Sequence, residues 1–415
     1  MAGSAVVAGL GSTGQSVIRH LAARGWRVAG TDTRAQPPGI DALRAAFPQL
    51  RVACGGLDAA LLEGADLVVA SPGLSQQEGF FAAARTLGIE VIGDIELFAR
   101  EGLRQVAGIT GTHGKSTVTA LLAHMARRAG RSALAGGNLG PPALDLLRDG
   151  GAQLYVLELS SDQLETTHSL HLAAATVLNV TADHLDRYAD VDAYAAAKAR
   201  IFDRCDTAVL NCDDARGAAM ARAGQRTLGF SLDYRVGADY YLEIVDGRDW
   251  LCRTGERLLA MDELHLVGRH NAANALAALA MGEALGLAQE PMLQALRDFA
   301  GLPHRAAFVR ELAGVRYVND SKGTNVGATL AAALAGKVRQ VLTIGRDAER
   351  IEQALQGVCP LQRCATLEEA VVAAARVAQP GDTVLLSPAC ASLDMCRDYA
   401  HRGEVFAAAV MGLAA

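Results

Sequence analysis

The chain has 415 residues, 51% hydrophobic and 20% charged, with Lys+Arg 39 against Asp+Glu 45 for a net charge of −6. At roughly 150 residues per domain this length implies two or three globular domains, and so apolar a chain is not disordered. The negative balance excludes a field able to hold a phosphate polymer by counterion release, and 5% aromatic content leaves few rings for stacking bases.

The first elements alternate. Ala5–Ala8 reads as a strand, Gln15–Arg24 as a helix, Trp26–Thr31 as a strand, and Leu67–Ala70 as another before Ser71-Pro72-Gly73. Alternation of this kind means a parallel sheet with crossover helices. Between the first strand and helix, Gly9-Leu-Gly-Ser-Thr-Gly14 matches G-x-G-x-x-G, with Asp32 lying 18 residues past Gly14. Read alone this is a dinucleotide fingerprint, yet the same geometry serves any nucleotide diphosphate. A second system begins near Gly93 and runs to about Ala300, with strands at Gln105–Thr110, Leu154–Leu159 and Ala175–Val180 and an apolar helix from Lys115 to Ala129. Within it Asp233–Leu266 predicts antiparallel strands around a turn at Val245-Asp246-Gly247. The tail repeats the α/β pattern with strands at Val315–Asn319, Gln340–Gly345 and Thr383–Ser387. The fold class is α/β, three domains in series: 1–92 and 300–415 Rossmann-like, and 93–299 a P-loop-type ATPase domain.

No uncharged apolar run of about 18 residues is present to span a bilayer, and the start Met-Ala-Gly-Ser-Ala-Val-Val lacks the basic residues of a signal peptide, so a cytosolic protein is expected. The eight cysteines form no Cys-x-x-Cys pair and read as reduced packing residues.

The sharpest motif is Gly108-Ile-Thr-Gly-Thr-His-Gly-Lys-Ser-Thr117, which follows an apolar strand and opens a helix. Backbone N–H groups and a helix N-terminus can cradle a triphosphate there, with Lys115 on the β/γ-phosphates and Ser116 or Thr117 holding Mg²⁺. Glu158 ends a strand, where open α/β sheets place ligands, and a cation that bridges phosphates takes one or two protein carboxylates. His184 follows another strand, beside Asp183 and Asp186. Lys198, by spacing alone, reads as an exposed helix lysine. In the third domain, Asn319-Asp-Ser-Lys-Gly-Thr-Asn325 and Ser387-Pro-Ala-Cys-Ala-Ser-Leu-Asp394 put hydroxyls and free backbone donors at a helix start, which suits an anionic oxygen or a plain capping turn.

These blocks in this order resemble the ATP-dependent Mur ligases of peptidoglycan synthesis, and among them the branch that adds D-glutamate to UDP-N-acetylmuramoyl-L-alanine. The likeness covers nearly the whole chain, through residues 108–117, 156–161, 178–184, 302–305, 319–325 and 387–394. It implies that the first domain binds the UDP part of the muramoyl substrate through Ser12, Thr13, Asp32, Thr33 and Arg34, with Gly73 nearby, in place of NAD. It implies MgATP at Gly111, Thr112, His113, Gly114, Lys115, Ser116 and Thr117, with Asn271, Arg305 and Asp320 on the nucleotide and Asn138 on the substrate. Lys198 matches a family lysine carbamylated by CO₂, which turns a cation into an anionic metal ligand. With Ser116, Glu158 and His184 it would surround two Mg²⁺ ions, and Lys115, Glu158, His184 and Lys198 would be the catalytic set. ATP's γ-phosphoryl group would pass to the alanyl carboxylate, and the amine of glutamate would displace phosphate from the acyl phosphate. The third domain would close over the site, bringing Lys322, Thr324, Ser392 and Tyr399 to the glutamate and phosphates, with hinges at 92 and 300. The implied partners are the muramoyl nucleotide and glutamate, with no nucleic acid and no membrane, for a monomer in the cytoplasm.

The chain departs from that pattern. The family carries a strand and a Gly-Gly-rich loop, whose lysine meets the glutamate side-chain carboxylate, after the helix that follows Asn319–Asn325. Here Ala331–Gly336 runs straight into Lys337–Asp347, so about one βα unit is absent. The carboxylate loses a charge-assisted partner worth roughly 1.5–3 kcal/mol unless Arg346, Arg350 or another cation takes over. Tyr399 stands where the family has Phe, His113 where it has Asn, and Asp162 where it has Phe. Alternatives are the same chemistry with L-glutamate or another acidic amino acid, a non-catalytic regulator that binds nucleotide or UDP-sugar, and a nicotinamide oxidoreductase resting on Gly9–Gly14 alone.

Overall fold

The computed structural model describes residues 3–414 except 149, 184–186, 235–236, 267, 306, 323–337 and 389–394. The chain divides into two compact units, Met1–Ala300 and Gly301–Ala415.

The larger unit holds two sheets. In the first, β1 (Ser4–Ala8), β2 (Arg27–Asp32), β3 (Arg51–Cys54), β4 (Leu67–Ala70) and β5 (Glu90–Gly93) run parallel in the order β3-β2-β1-β4-β5. Helices α1 (Ser12–Ala23), α2 (Ile40–Ala46) and α3 (Gly79–Thr86) connect strands of this sheet, and α4 (Asp94–Ala99) follows its last strand. β1 is apolar on both faces, as a central parallel strand must be, with Val6 opposite both Ala29 and Val68. A Cβ on Gly14 would lie 1.8 Å from the Gly9 carbonyl oxygen, so only glycine lets α1 start this close to β1.

The second sheet contains β6 (Val106–Thr110), β7 (Ala133–Gly137), β8 (Leu154–Glu158), β9 (Leu172–Val177), β10 (Cys205–Asn211), β11 (Arg226–Ser231), β12 (Tyr240–Val245), β13 (Arg248–Arg253) and β14 (Glu256–Ala260), in the order β14-β13-β12-β11-β10-β9-β6-β8-β7. Pairing is parallel from β7 to β12 and antiparallel for β12-β13-β14. Its helices are α5 (Lys115–Arg128), α6 (Ser161–Glu165), α7 (Val191–Ala199), α8 (Ala215–Ala218), α9 (Arg269–Ala284) and α10 (Gln289–Asp298). α9 is alanine-rich and buried on most sides, packing Leu276, Leu279 and Met281 into one core with Leu121 and Leu122 of α5. The expected antiparallel turn is present: Val245 pairs with Arg248, leaving Asp246 and Gly247 as a two-residue loop with φ of 51° and 76°.

The junction near 92 is packed, against the expectation of a hinge there. Gly93 N–H donates to the Thr166 carbonyl at 3.3 Å, Gln163 donates to buried Asp94 at 3.2 Å, and Glu96 accepts the backbone N–H of His168 and Ser169 at 2.7 and 2.8 Å. From α1 and the residue that caps it, Arg19 donates to Asp145 at 2.8 Å while His20 and Arg24 meet Glu101 at 3.2 and 2.6 Å. One core cluster includes Val7, Leu10 and Ile18 from the first sheet's layers with Val106, Leu144 and Tyr155 from the second's.

In the smaller unit, β15 (Ala307–Leu312) and β16 (Val315–Asn319) form an antiparallel hairpin, and β19 (Thr383–Leu386) runs parallel to β16. β17 (Val341–Thr343) and β18 (Leu361–Arg363) make a separate parallel pair. Helices at Ala348–Leu355, Leu367–Val377 and Tyr399–Met411 accompany them, and Val315, Tyr317, Val371, Leu386, Phe406 and Val410 fill the core. Two expected elements are displaced: the first helix starts at Ser12 rather than Gln15, and the strand placed at Ala175–Val180 is Leu172–Val177. Among the described residues no helix is long and apolar enough to cross a membrane.

Candidate active site

β6 is fully buried and delivers its chain end to a glycine loop, Gly111 to Gly114, from which α5 starts at Lys115. Gly114 has φ +83°, and a Cβ there would press 2.4 Å from Oδ1 of Asn274 on α9. The loop is braced from below by Asn179. Its Oδ1 accepts the N–H of Thr112 at 3.1 Å and of His113 at 2.8 Å, and its Nδ2 donates to the His113 carbonyl at 3.1 Å. Thr181 N–H donates to Thr112 Oγ1 at 3.1 Å. Ser116 and Thr117 are buried in the first turn of α5, whose 14 residues point their amide dipoles at the loop.

Lys115 Nζ donates to the carbonyls of Gly111 and Thr112, each at 3.0 Å. Lys198 Nζ donates to the same Gly111 carbonyl at 3.0 Å and lies 4.3 Å from the Tyr194 ring centroid. The reading of Lys198 as an exposed helix lysine is therefore overturned. It is 1% exposed, because α7 turns that face inward with Tyr194 and Ala195. Burial, and then the positive charge of Lys115, lower its pKa to about 7, against the opposing pull of Asp162, Asp183 and Glu158.

Glu158 ends β8 with 3% exposure. Asn138 Nδ2 donates to its Oε1 at 2.7 Å and the Asn138 N–H to its carbonyl at 2.8 Å, while Oε2 is buried without a hydrogen-bond partner among the described residues. A buried carboxylate oxygen left unmatched costs free energy unless a cation meets it, so the residue fits a metal ligand. Among the described residues no three His, Cys, Asp or Glu side chains converge as a cation cage. A phosphate-bridging Mg²⁺ needs no such cage, since water and phosphate oxygens complete its shell. His184 lies outside the described residues.

At the first sheet's C-terminal edge, both Asp32 oxygens are occupied. Oδ2 accepts from Leu10 N–H at 2.6 Å and Arg34 Nη2 at 2.7 Å, and Oδ1 from Arg34 N–H at 2.8 Å and Nε at 2.9 Å. Burial pushes its pKa up, but the Arg34 side chain and the Leu10 and Arg34 amides outweigh that and leave it at about 2. A dinucleotide fingerprint needs this carboxylate for a ribose 2′-hydroxyl. Here it ties the Gly9–Gly11 turn to Arg34, whose guanidinium stands over Gly11; Ser12, Thr33 and Gly73 are exposed.

α9 opens beside the glycine loop, and Asn274 Nδ2 donates to Asn271 Oδ1 at 3.2 Å. In the smaller unit Asp320 N–H donates to the Leu386 carbonyl and Lys322 N–H to the His304 carbonyl, both at 3.0 Å, so the strand ends and the segment before Arg305 meet. Lys322 Nζ is 3.9 Å from the centroid of Tyr399, and Ser321 Oγ donates to the Tyr399 carbonyl at 2.7 Å. Arg346 and Arg350 are exposed after the C-terminal end of β17. Thr324 and Ser392 lie outside the described residues. Sequence reading passed over Asn179, Asn274, Tyr194 and Arg402; Asn179 sits inside the stretch 178–184, whereas Arg402, buried and donating to Ser321 Oγ at 3.0 Å, carried no signal.

Residues 3–93 match the family model of the Mur ligase MurD-like N-terminal domain, and residues 109–282 that of the Mur ligase middle domain. The UDP-N-acetylmuramoylalanine–D-glutamate ligase of Nitrosococcus oceani is 49% identical over 438 residues, covering 99% of this chain and 97% of that one. The ligase of the same name from Pseudomonas aeruginosa is 46% identical over 439 residues, covering 99% and 98%. Both alignments are longer than the 415-residue chain, so these relatives carry residues with no counterpart here. Among solved structures, UDP-N-acetylmuramate–alanine ligase MurC from Thermotoga maritima superposes with TM-score 0.62 at 19% identity, over 97% of this chain and 98% of that one. MurF from Acinetobacter baumannii gives 0.58 at 19%, over 86% and 92%; at such identities the likeness is one of fold.

Proposed function

The chain belongs to the Mur ligase family, and from that premise we propose that it joins D-glutamate to UDP-N-acetylmuramoyl-L-alanine, consuming ATP and forming an acyl phosphate on the way to the amide, as a step of peptidoglycan precursor synthesis. The observation that carries the site assignment is the shared Gly111 carbonyl. Two lysine amines on one acceptor, one of them buried, are tolerable when one of the pair loses its proton or changes sign.

Lys115, at the start of α5, moves from the loop carbonyls to the β/γ-phosphates and, with the loop N–H groups, holds the transferring group in line. Ser12, Thr13, Asp32, Thr33, Arg34 and Gly73 take the uridine diphosphate end, Asn138 orients the muramoyl substrate, and Asn271, Arg305 and Asp320 hold the nucleotide. Ser116, Glu158, His184 and a carbamylated Lys198 hold two Mg²⁺ ions, which supply the positive charge that lets one anion approach another. CO₂ reacts with a neutral amine, and a buried lysine facing another cation is a good source of one. Lys322, Thr324, Ser392 and Tyr399 serve glutamate and phosphate. Arg346 or Arg350, standing past β17, replaces the cation of the absent loop. We assign domains at 1–92, 93–299 and 300–415, a monomer, and no nucleic-acid partner. ATP and a UDP-linked substrate place the work in the cytoplasm.

The test is phosphate release from MgATP and UDP-N-acetylmuramoyl-L-alanine with D-glutamate, with L-glutamate and without amino acid. Dependence on D-glutamate supports the proposal. Release with L-glutamate alone keeps the chemistry and changes the specificity, and no release from folded protein rejects the enzyme. Incubation with ¹³C-bicarbonate should give one carbamate resonance that Lys198→Met removes.

A further inference from the structure

Three stretches of chain supply the proposed metal ligands: β8 ends at Glu158, residues 178–188 contain His184, and α7 carries Lys198. Up to Thr181 the middle stretch is tied to the glycine loop and, through Val180 N–H at 2.6 Å, to Asp214. Past His184 it is tied elsewhere. Arg187 Nε meets Asp162 Oδ1 at 3.0 Å and its Nη2 meets Glu165 Oε2 at 2.6 Å, both on α6, which starts three residues after Glu158 under a Ser160–Gln163 capping box. Tyr188, 8% exposed, places its ring 5.2 Å from Tyr194, the ring over which Lys198 lies.

We propose that the Asp162–Arg187–Glu165 clamp sets the spacing of the three ligand-bearing stretches, making Arg187 a positioning residue for the metal centre. A forked guanidinium held by two carboxylates on one short helix fixes direction as well as distance, which a hydrophobic contact does not. The inference rests on the proposed ligase reading, because it takes Glu158, His184 and Lys198 as the ligands.

The test uses the full chain with a non-hydrolysable ATP analogue and Mn²⁺ titrated by electron paramagnetic resonance. Arg187→Met and Asp162→Asn should each weaken Mn²⁺ binding roughly tenfold, as loss of groups that orient metal ligands does, with the double variant no worse than either single one. Thermal midpoints stay close to the parent's. Should Arg187→Met fail to fold, Arg187→Lys, which keeps the charge and loses the fork, carries the same expectation. Mn²⁺ affinity within twofold of the parent in these variants, or a parent that binds no Mn²⁺ with nucleotide, overturns the clamp. Phosphate release by the parent separates the two readings: turnover with unchanged Mn²⁺ affinities sinks the clamp alone, and clamp-dependent Mn²⁺ binding without turnover supports the clamp and sinks the reaction.

Discussion

At the scale of single residues, charge without a partner is the informative feature. Glu158 keeps one buried oxygen unmatched, so in chelator Glu158→Gln should leave stability unchanged or raise it by about 1 kcal/mol, while phosphate release with Mg²⁺ falls at least ~100-fold. Urea unfolding and a phosphate assay on one preparation check both, and a large loss of stability in chelator would contradict the assignment. Asp32 is the opposite case. Its pKa is depressed to about 2, so its stabilisation is present above about pH 4 and is lost as pH falls through about 2. Asp32→Asn should therefore cost about 2 kcal/mol at pH 7, with the gap to the parent narrowing below pH 4 in urea titrations.

At the scale of elements, strand and loop interiors were legible in the sequence and edges were not. β4 and β16 lie where the residue pattern put them, β4 as a buried apolar run and β16 as an alternation of buried and more exposed residues. α1 begins three residues ahead of expectation because Ser-Thr-Gly reads as turn, and tertiary closeness of Gly14 to Gly9 decides otherwise. Lys198 was legible only by resemblance, as a single lysine near the end of an alanine-rich helix has no periodicity to betray its burial. The glycine-loop brace was equally hidden, being a contact across 66 and 67 residues. Asn179→Ala should raise the KM for ATP several-fold and cost about 1 kcal/mol by removing the side-chain bonds to the His113 N–H and carbonyl, while Thr112 N–H keeps the Asn179 backbone carbonyl at 2.9 Å; kinetics and thermal unfolding measure both.

For the whole molecule, the packed junction between the two sheets of Met1–Ala300 bears on how it unfolds. Trp26 and Trp250, the two tryptophans, fall one in each sheet's layer, so single-tryptophan variants give separate fluorescent reports. Their thermal transitions should coincide, because one apolar cluster and the Arg19–Asp145 and His20–Glu101 contacts join the layers. Two separated midpoints would restore the hinge near 92. That the third domain is short of about one βα unit was read from the sequence by resemblance alone. What takes over the amino-acid carboxylate was not, since exposed arginines such as Arg346 and Arg350 differ from ordinary surface charge only by their place after a strand end.

The hairpin loop at Asp246-Gly247 has a practical use. Both residues hold positive φ in a two-residue reversal at the end of an antiparallel arm, on the part of the sheet most removed in strand order from β6 and β8. Loop tips of this kind tolerate inserted sequence, so a reporter peptide or surface tether placed there would let the ligase be immobilised with its termini and glycine loop untouched.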